Sequence, residues 1–142
     1  MGHHTLYDRL GKGAGITAVV DDFVSRCAAD SRINSKFART DVGRLKALLV
    51  EQVSAASGGK VEYTGRSMTD THRGMQVTAG EFDALVEDLV ATLNKSGVAE
   101  ADKAALLGIL GPLRSDIVEV ESPATGTPLP DSYENAKPLA AV

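Results

Sequence analysis

At 142 residues the chain is long enough for one domain with a sizeable hydrophobic core. A formal net charge of -4 and a pI near 5.3 argue against a dedicated nucleic-acid surface. No apolar run approaches the roughly 20 residues that cross a bilayer, so no membrane role is expected.

The opening MGHHTLYDRLG lacks the apolar core of a secretory signal, and Leu6 stands where a myristoylation pattern wants Ser or Thr. His3-His4 read as part of a flexible terminus. The single cysteine, Cys27, cannot form an internal disulfide, which fits a reducing cytoplasm. It lies in an apolar helical context and reads as a small buried packing residue.

All five prolines lie at or beyond Pro112, which leaves the first 111 residues free of that helix breaker. Residues 5–10 read as a short first helix, ended by Gly11-Lys12-Gly13-Ala14-Gly15. Residues 16–29 follow, with Ile16, Val19, Val20, Phe23, Val24 and Cys27 at three- and four-residue spacing on one face. Residues 31–37 form a poorly patterned link. Thr40 or Asp41 can cap the next helix, which runs to about Ala56 with Val42, Leu45, Leu48, Leu49, Gln52 and Val53 on its apolar side. Gly58-Gly59 ends it.

The stretch from Gly58 to Gly74, GGKVEYTGRSMTDTHRG, breaks the helical pattern on both sides and carries one histidine, His72. Residues 67–73 are long enough for about two helical turns, with Met68 and His72 on one face. An imidazole placed there can ligate a metal, take part in acid–base chemistry, or simply pack. Beyond it, Thr78 and Glu81 make a capping box for a helix bearing Phe82, Leu85, Val86, Leu89, Val90 and Leu93. Residues 99–118 form a last helix, with Leu106, Leu107, Ile109, Leu110, Leu113 and Ile117 inward and a kink at Pro112. Nothing reads as a strand, so the expected class is all-α, with one domain over 1–119. Residues 120–142, rich in proline and without apolar periodicity, read as a flexible tail whose Pro-Leu-Pro and Tyr133 could engage a partner.

A search for catalytic motifs returns little. GKGAG lacks the spacing and the preceding strand of a phosphate loop. Cys27 and His72 are not a recognisable nucleophile pair. Asp21-Asp22 and Glu87-Asp88 read as solvated faces, and no Cys/His cluster offers the ligands of a zinc site. A lone histidine facing an apolar enclosure does suit haem, which brings four nitrogens and asks for one axial imidazole and an apolar slot.

The chain resembles the truncated haemoglobins, group I in particular. The matching pieces run in the family's order over about residues 5–118. They are Leu6-Tyr7-Asp8-Arg9-Leu10-Gly11, Val19-Val20-Asp21-Asp22-Phe23, Phe37, Thr40-Asp41, Arg44-Leu45-Lys46, Gly58-Gly59, Tyr63-Thr64-Gly65-Arg66-Ser67-Met68, His72 and Phe82. The resemblance implies a two-over-two helical sandwich with haem b (protohaem IX) held inside. By that likeness His72 is the proximal iron ligand and Phe37 stacks on the haem. Ile33, Leu45, Leu49, Met68, Val77, Phe82 and Val86 line the pocket, with Thr40 and Tyr63 also among the cofactor contacts.

The distal side departs from the family. The tyrosine that often follows Asp-Asp-Phe is Val24 here, and the usual distal glutamine is Leu49. Leu48 replaces a basic residue, and Leu45 holds the distal-histidine position. Val24, Leu45, Leu48 and Leu49 therefore leave an almost wholly hydrocarbon distal pocket; Gln52 compensates if it points inward, with an edge or exposed position the expectation. The resemblance implies reversible binding of O₂, CO and NO, with oxygen transport as the family's default role and a reductase as a possible partner. Nitric oxide dioxygenation or a peroxidase-like reaction is the alternative, and a haem gas sensor a third.

Overall fold

The computed structural model describes residues 5–38, 40–65 and 67–130. His3-His4, Arg66 and Tyr133 lie outside them. Seven α-helices follow in order: α1 (Leu6–Arg9), α2 (Lys12–Ala29), α3 (Val42–Ala56), α4 (Met68–His72), α5 (Ala79–Lys95), α6 (Glu100–Leu110) and α7 (Arg114–Ile117) among the described residues. A 3₁₀ turn, Asn34–Phe37, joins α2 to α3, and a second, Gly111–Leu113, joins α6 to α7. The described residues form no strand, only one isolated bridge between Thr78 and Val120.

Helix starts follow local chemistry. The Thr5 hydroxyl accepts from the Asp8 N–H, and Asp8 returns the bond to the Thr5 N–H. Thr78 and Glu81 do the same for α5. Asp41, not Thr40, caps α3 by accepting from the Arg44 N–H. All six apolar residues picked out on α2 are buried. On α3, Leu45, Leu48 and Leu49 are buried, whereas Val42 is 45% exposed at the first turn. α2 packs against both α3 and α5, and α4 rests on α7. The helices stack as a two-over-two sandwich whose core holds Ile16, Leu48, Leu93 and Leu106.

Three expectations change. Of the glycine-rich run 11–15 only Gly11 separates α1 from α2, because α2 already begins at Lys12. Gly11 turns the chain at φ +95°, and Gly15 passes so close to the Leu10 carbonyl that a Cβ there would collide with it. Gly11 thus divides the two helices, whereas Gly13 and Gly15 lie inside α2 without breaking it. The last helix is interrupted rather than merely bent: at Pro112 one turn tightens to 3₁₀ geometry and divides α6 from α7.

The third change concerns the tail, whose first part is tied down. Val77 O accepts from the N–H groups of Glu119 (2.9 Å) and Val120 (3.2 Å). The Ala79 and Gly80 N–H groups donate to Val120 O and Ser122 O, both at 3.0 Å. Gly126 N–H donates to Arg32 O at 2.6 Å, and the Thr78 hydroxyl donates to Ala124 O. Gly80 admits this segment because a Cβ would strike the Pro123 backbone. The chain thus stays on the domain to residue 130, past the boundary drawn at 120, while 131–142 lie outside the described residues.

The carboxylate pairs are not simply solvated. Asp22 accepts from Arg26, Thr92 and Lys95, which hold its pKa well below the carboxylate range. Arg32 donates to Glu87 at 2.8 Å and to Asp30 at 2.9 Å, and lies 3.7 Å from Asp88. Asp88 Oδ2 is buried without a hydrogen-bond partner. Burial first, then the neighbouring Asp30, push the Asp88 pKa up to about 7. Unfolding would return it to 3.8, so the folded chain binds the extra proton between those values. Its contribution therefore falls as pH rises from about 4 to 7 and levels off above. Asp88→Asn, which mimics the protonated form, should gain melting temperature relative to the native chain between pH 5 and pH 8. A difference that stays constant across thermal melts in that range would contradict the assignment.

Candidate functional site

α4 has only five residues, and its sequence supplies its own ends. The Ser67 hydroxyl caps it by accepting from the Asp70 N–H at 3.1 Å, and the Thr71 hydroxyl donates to Ser67 O at 2.8 Å. His72 closes the helix with its ring pointed inward and 3% exposed. Its Nδ1 lies 2.7 Å from Met68 O, one turn back. A carbonyl can only accept, so Nδ1 carries the proton and Nε2 the lone pair. That tautomer presents a metal-binding nitrogen.

His72 faces a void whose wall combines residues singled out in the sequence with others that were not. Ile33, Phe37, Val77 and Phe82 meet there. Lys36, Met75, Glu81, Leu85 and Ile117 complete the wall. Met75 comes from an unpatterned loop and Lys36 from the 3₁₀ turn, where no periodicity marks an inward side chain. Glu81 was visible as a capping residue, but one of its oxygens reaches further than the cap requires.

Val24 and Leu45 share a second small void with Phe23, Cys27, Ala28, Val42 and Phe37, which thus lines both. Leu49 lines a third, larger cavity of about 210 Å³ bounded by α2, α3, α5 and α6. Leu48 is buried in α3 and lines none of the three. Val86, Tyr63 and Thr40 are half-buried and also line none of them. Thr40 instead donates its N–H to Phe37 O at 3.1 Å, securing the end of the 3₁₀ turn.

Gln52 departs from its expected edge position. It lines the large cavity, and its Nε2 lies 3.3 Å from Met68 Sδ, linking α3 to the helix that carries His72. Cys27 is buried as expected, and burial raises its thiol pKa strongly, which keeps it from acting as a thiolate.

Among the described residues no group of three or more His, Cys, Asp or Glu side chains could hold a metal ion. One imidazole in a hydrocarbon and aromatic wall instead fits a metal that arrives with its remaining ligands, as in a tetrapyrrole. The wall's ionic part is one pair: Lys36 Nζ and Glu81 Oε1 are 3.6 Å apart, 4% and 1% exposed at their side chains. Lys36 also donates to Thr127 Oγ1 and Pro128 O. Glu81 accepts from the Thr78 N–H and from the N–H and hydroxyl of Thr127. Burial lowers the Lys36 pKa, and the Glu81 carboxylate opposes that shift.

The sequence profile of the bacterial-like globins matches residues 5–119, which span the whole helical sandwich. The chain belongs to the bacterial-like globin family. Within this family its relatives are truncated haemoglobins. A group 1 truncated haemoglobin (GlbN) of Mycolicibacterium paratuberculosis is 33% identical over 118 residues, 83% of this chain and 87% of that protein. The truncated haemoglobin of Tetrahymena pyriformis in its Fe(III) form superposes with a TM-score of 0.77 at 30% identity, covering 81% of this chain and 98% of that one. The 2/2 haemoglobin of a Synechococcus species, determined in the cyanomet state with covalently attached haem, gives the same TM-score, identity and coverage.

In this globin the Lys36–Glu81 pair tests how the site wall is held. Lys36→Met should leave a buried carboxylate without its counter-charge and cost roughly 3 kcal/mol of unfolding free energy. Adding Glu81→Gln should recover part of that loss in urea unfolding. Equal stability of all three chains would show that the pair contributes nothing.

Proposed function

We propose that this globin holds haem b through His72 and reversibly binds the diatomic gases O₂, CO and NO. The observation that carries the reading is the buried His72 imidazole, whose Nδ1 is fixed on Met68 O so that Nε2 carries the lone pair. Support also comes from the relatives, one solved in an Fe(III) form and one with attached haem. When bound, the haem would supply an iron able to take up small gases.

The chain's own residues do the rest. Met68 O orients the imidazole and makes it a stronger donor. Phe37, Phe82, Ile33 and Val77 offer the apolar surface on which a macrocycle is buried, Phe37 as the stacking ring. Leu45, Leu49, Met68 and Val86 would extend that surface, with Thr40 and Tyr63 at its rim. Val24, Leu45, Leu48 and Leu49, all buried hydrocarbon, would line the gas side. None of these four side chains can donate a hydrogen bond to a ligand that gains negative charge. Oxygen should therefore leave fast, and the preference for oxygen over CO should be low. A reductase that keeps the iron ferrous and a cytoplasmic setting complete the proposal. Among the described residues no helix is long and apolar enough to cross a membrane.

His72→Ala should lose haem, or show a changed ferrous and CO-bound absorption spectrum at equal folding. Native haem content and an identical spectrum in that variant would end the assignment. Val24→Tyr should slow oxygen release about ten- to hundredfold by adding one donor, provided the ring packs beside Phe23 and Leu45. Stopped-flow displacement of oxygen by CO measures it. Slow release from the native chain would mean that another donor, Gln52 first, reaches the gas.

A further inference from the structure

The turn that follows His72 is held in an unusual shape from outside. Gly74 has φ +86° and Gln76 φ +56°. A left-handed glutamine is a cost that persists only where surroundings over-determine it. Glu119 supplies the side-chain part of those surroundings. The Glu119 carboxylate accepts the Gly74 N–H through both oxygens, at 3.1 and 3.0 Å, and the Gln76 N–H at 2.7 Å. Its backbone N–H donates to Val77 O at 2.9 Å, so Glu119 grips both ends of the segment 74–77.

What lies between those grips is the wall of the site. Met75 N–H donates to His72 O at 3.0 Å, tying the turn to the histidine's own carbonyl. Met75 and Val77 are buried and face the same void as His72, as does Ile117, two residues before Glu119. α4 is too short to be stable alone, because a single helical turn does not repay the cost of nucleation. Its N-terminal side is fixed by Ser67, and its C-terminal side by the turn that Glu119 holds.

We propose that Glu119 is the positioning residue for the His72 imidazole, acting through the 74–77 turn. The proposal rests on the haem reading above, because it assigns Glu119 a part in setting how squarely the imidazole meets the iron. Charge-assisted bonds to a carboxylate are the strong kind, and their loss frees the Gly74 and Gln76 N–H groups at once. The ring would then lose its fixed tilt while keeping its Met68 tether.

The test uses the full chain with Glu119→Ala and Glu119→Gln. A glutamine oxygen can still accept these N–H bonds, so Gln should behave much more like the native chain than Ala does. In the ferrous haem form, resonance Raman should show the iron–histidine stretching band shifted and broadened in Ala and near native in Gln. In haem-free chain, the Gly74 and Gln76 amides should exchange about tenfold faster or more in Ala. An unmoved band in Glu119→Ala would overturn the positioning role, even with faster exchange, since Glu119 would then shape only the turn. His72→Ala is the control. If it lacks the band, a negative result for Glu119 leaves the haem reading standing; if it keeps the band, both readings fall.

Discussion

Starting a helix costs more than extending one, and α4 stops before extension can compensate. The orientation of His72 therefore depends on bonds made outside the helix's own ladder. One is the Nδ1 contact to Met68 O, which selects the tautomer. The others come from Ser67 before the helix and Glu119 after it. Remove these and the residue type is unchanged, but the direction of its lone pair is not defined. The large helices supply the setting: α2 pins α3 and α5, and the resulting sandwich leaves an apolar gap beside a short helix.

That gap is not uniformly apolar. Phe37, Phe82, Val77 and Ile33 give it hydrocarbon and aromatic walls, while Lys36 and Glu81 place a buried ion pair at one side. Buried ions are tolerated only when their remaining donors and acceptors are used. Thr127, Pro128 and Thr78 use them. Thr127 and Pro128 are thus held by the very charges that they shield from water. The prolines between 119 and 130 do not prevent docking, because the bonds use carbonyls and the N–H groups of Glu119, Val120, Gly126 and Thr127, never a proline nitrogen.

Much of this was legible in the sequence. The faces of α2 and α5, the two capping boxes and the stop at Gly58-Gly59 follow from spacing and local hydrogen bonding. His72 stood out because it sits between glycines, and Phe37 through the family resemblance. Other features had no local signal. Lys36 and Met75 lie in unpatterned turns, and their inward direction is set by contacts with residues far along the chain. Gln52 sits on an otherwise apolar helix face, and only the position of Met68 across the gap shows that it turns inward. The ordered start of the tail was hidden for the same reason. Composition reports how much apolar area a segment can bury, but not whether a neighbouring domain offers it unpaired N–H groups.

The clasp at Thr127 also bears on how the chain is made. Ser35 and Lys36 find their partners 91 and 92 residues later, at Thr127 and Pro128. Translation releases residues in order, so α2 through α7 can collapse while the C-terminal segment is still inside the ribosome. During that interval the ammonium of Lys36 and the carboxylate of Glu81 have only each other, the Thr78 amide and water. Contacts between such distant residues form late, since the chain must close a long loop before it gains anything from them. Closing that long loop covers the Lys36–Glu81 contact, the most deeply buried ion pair among the described residues.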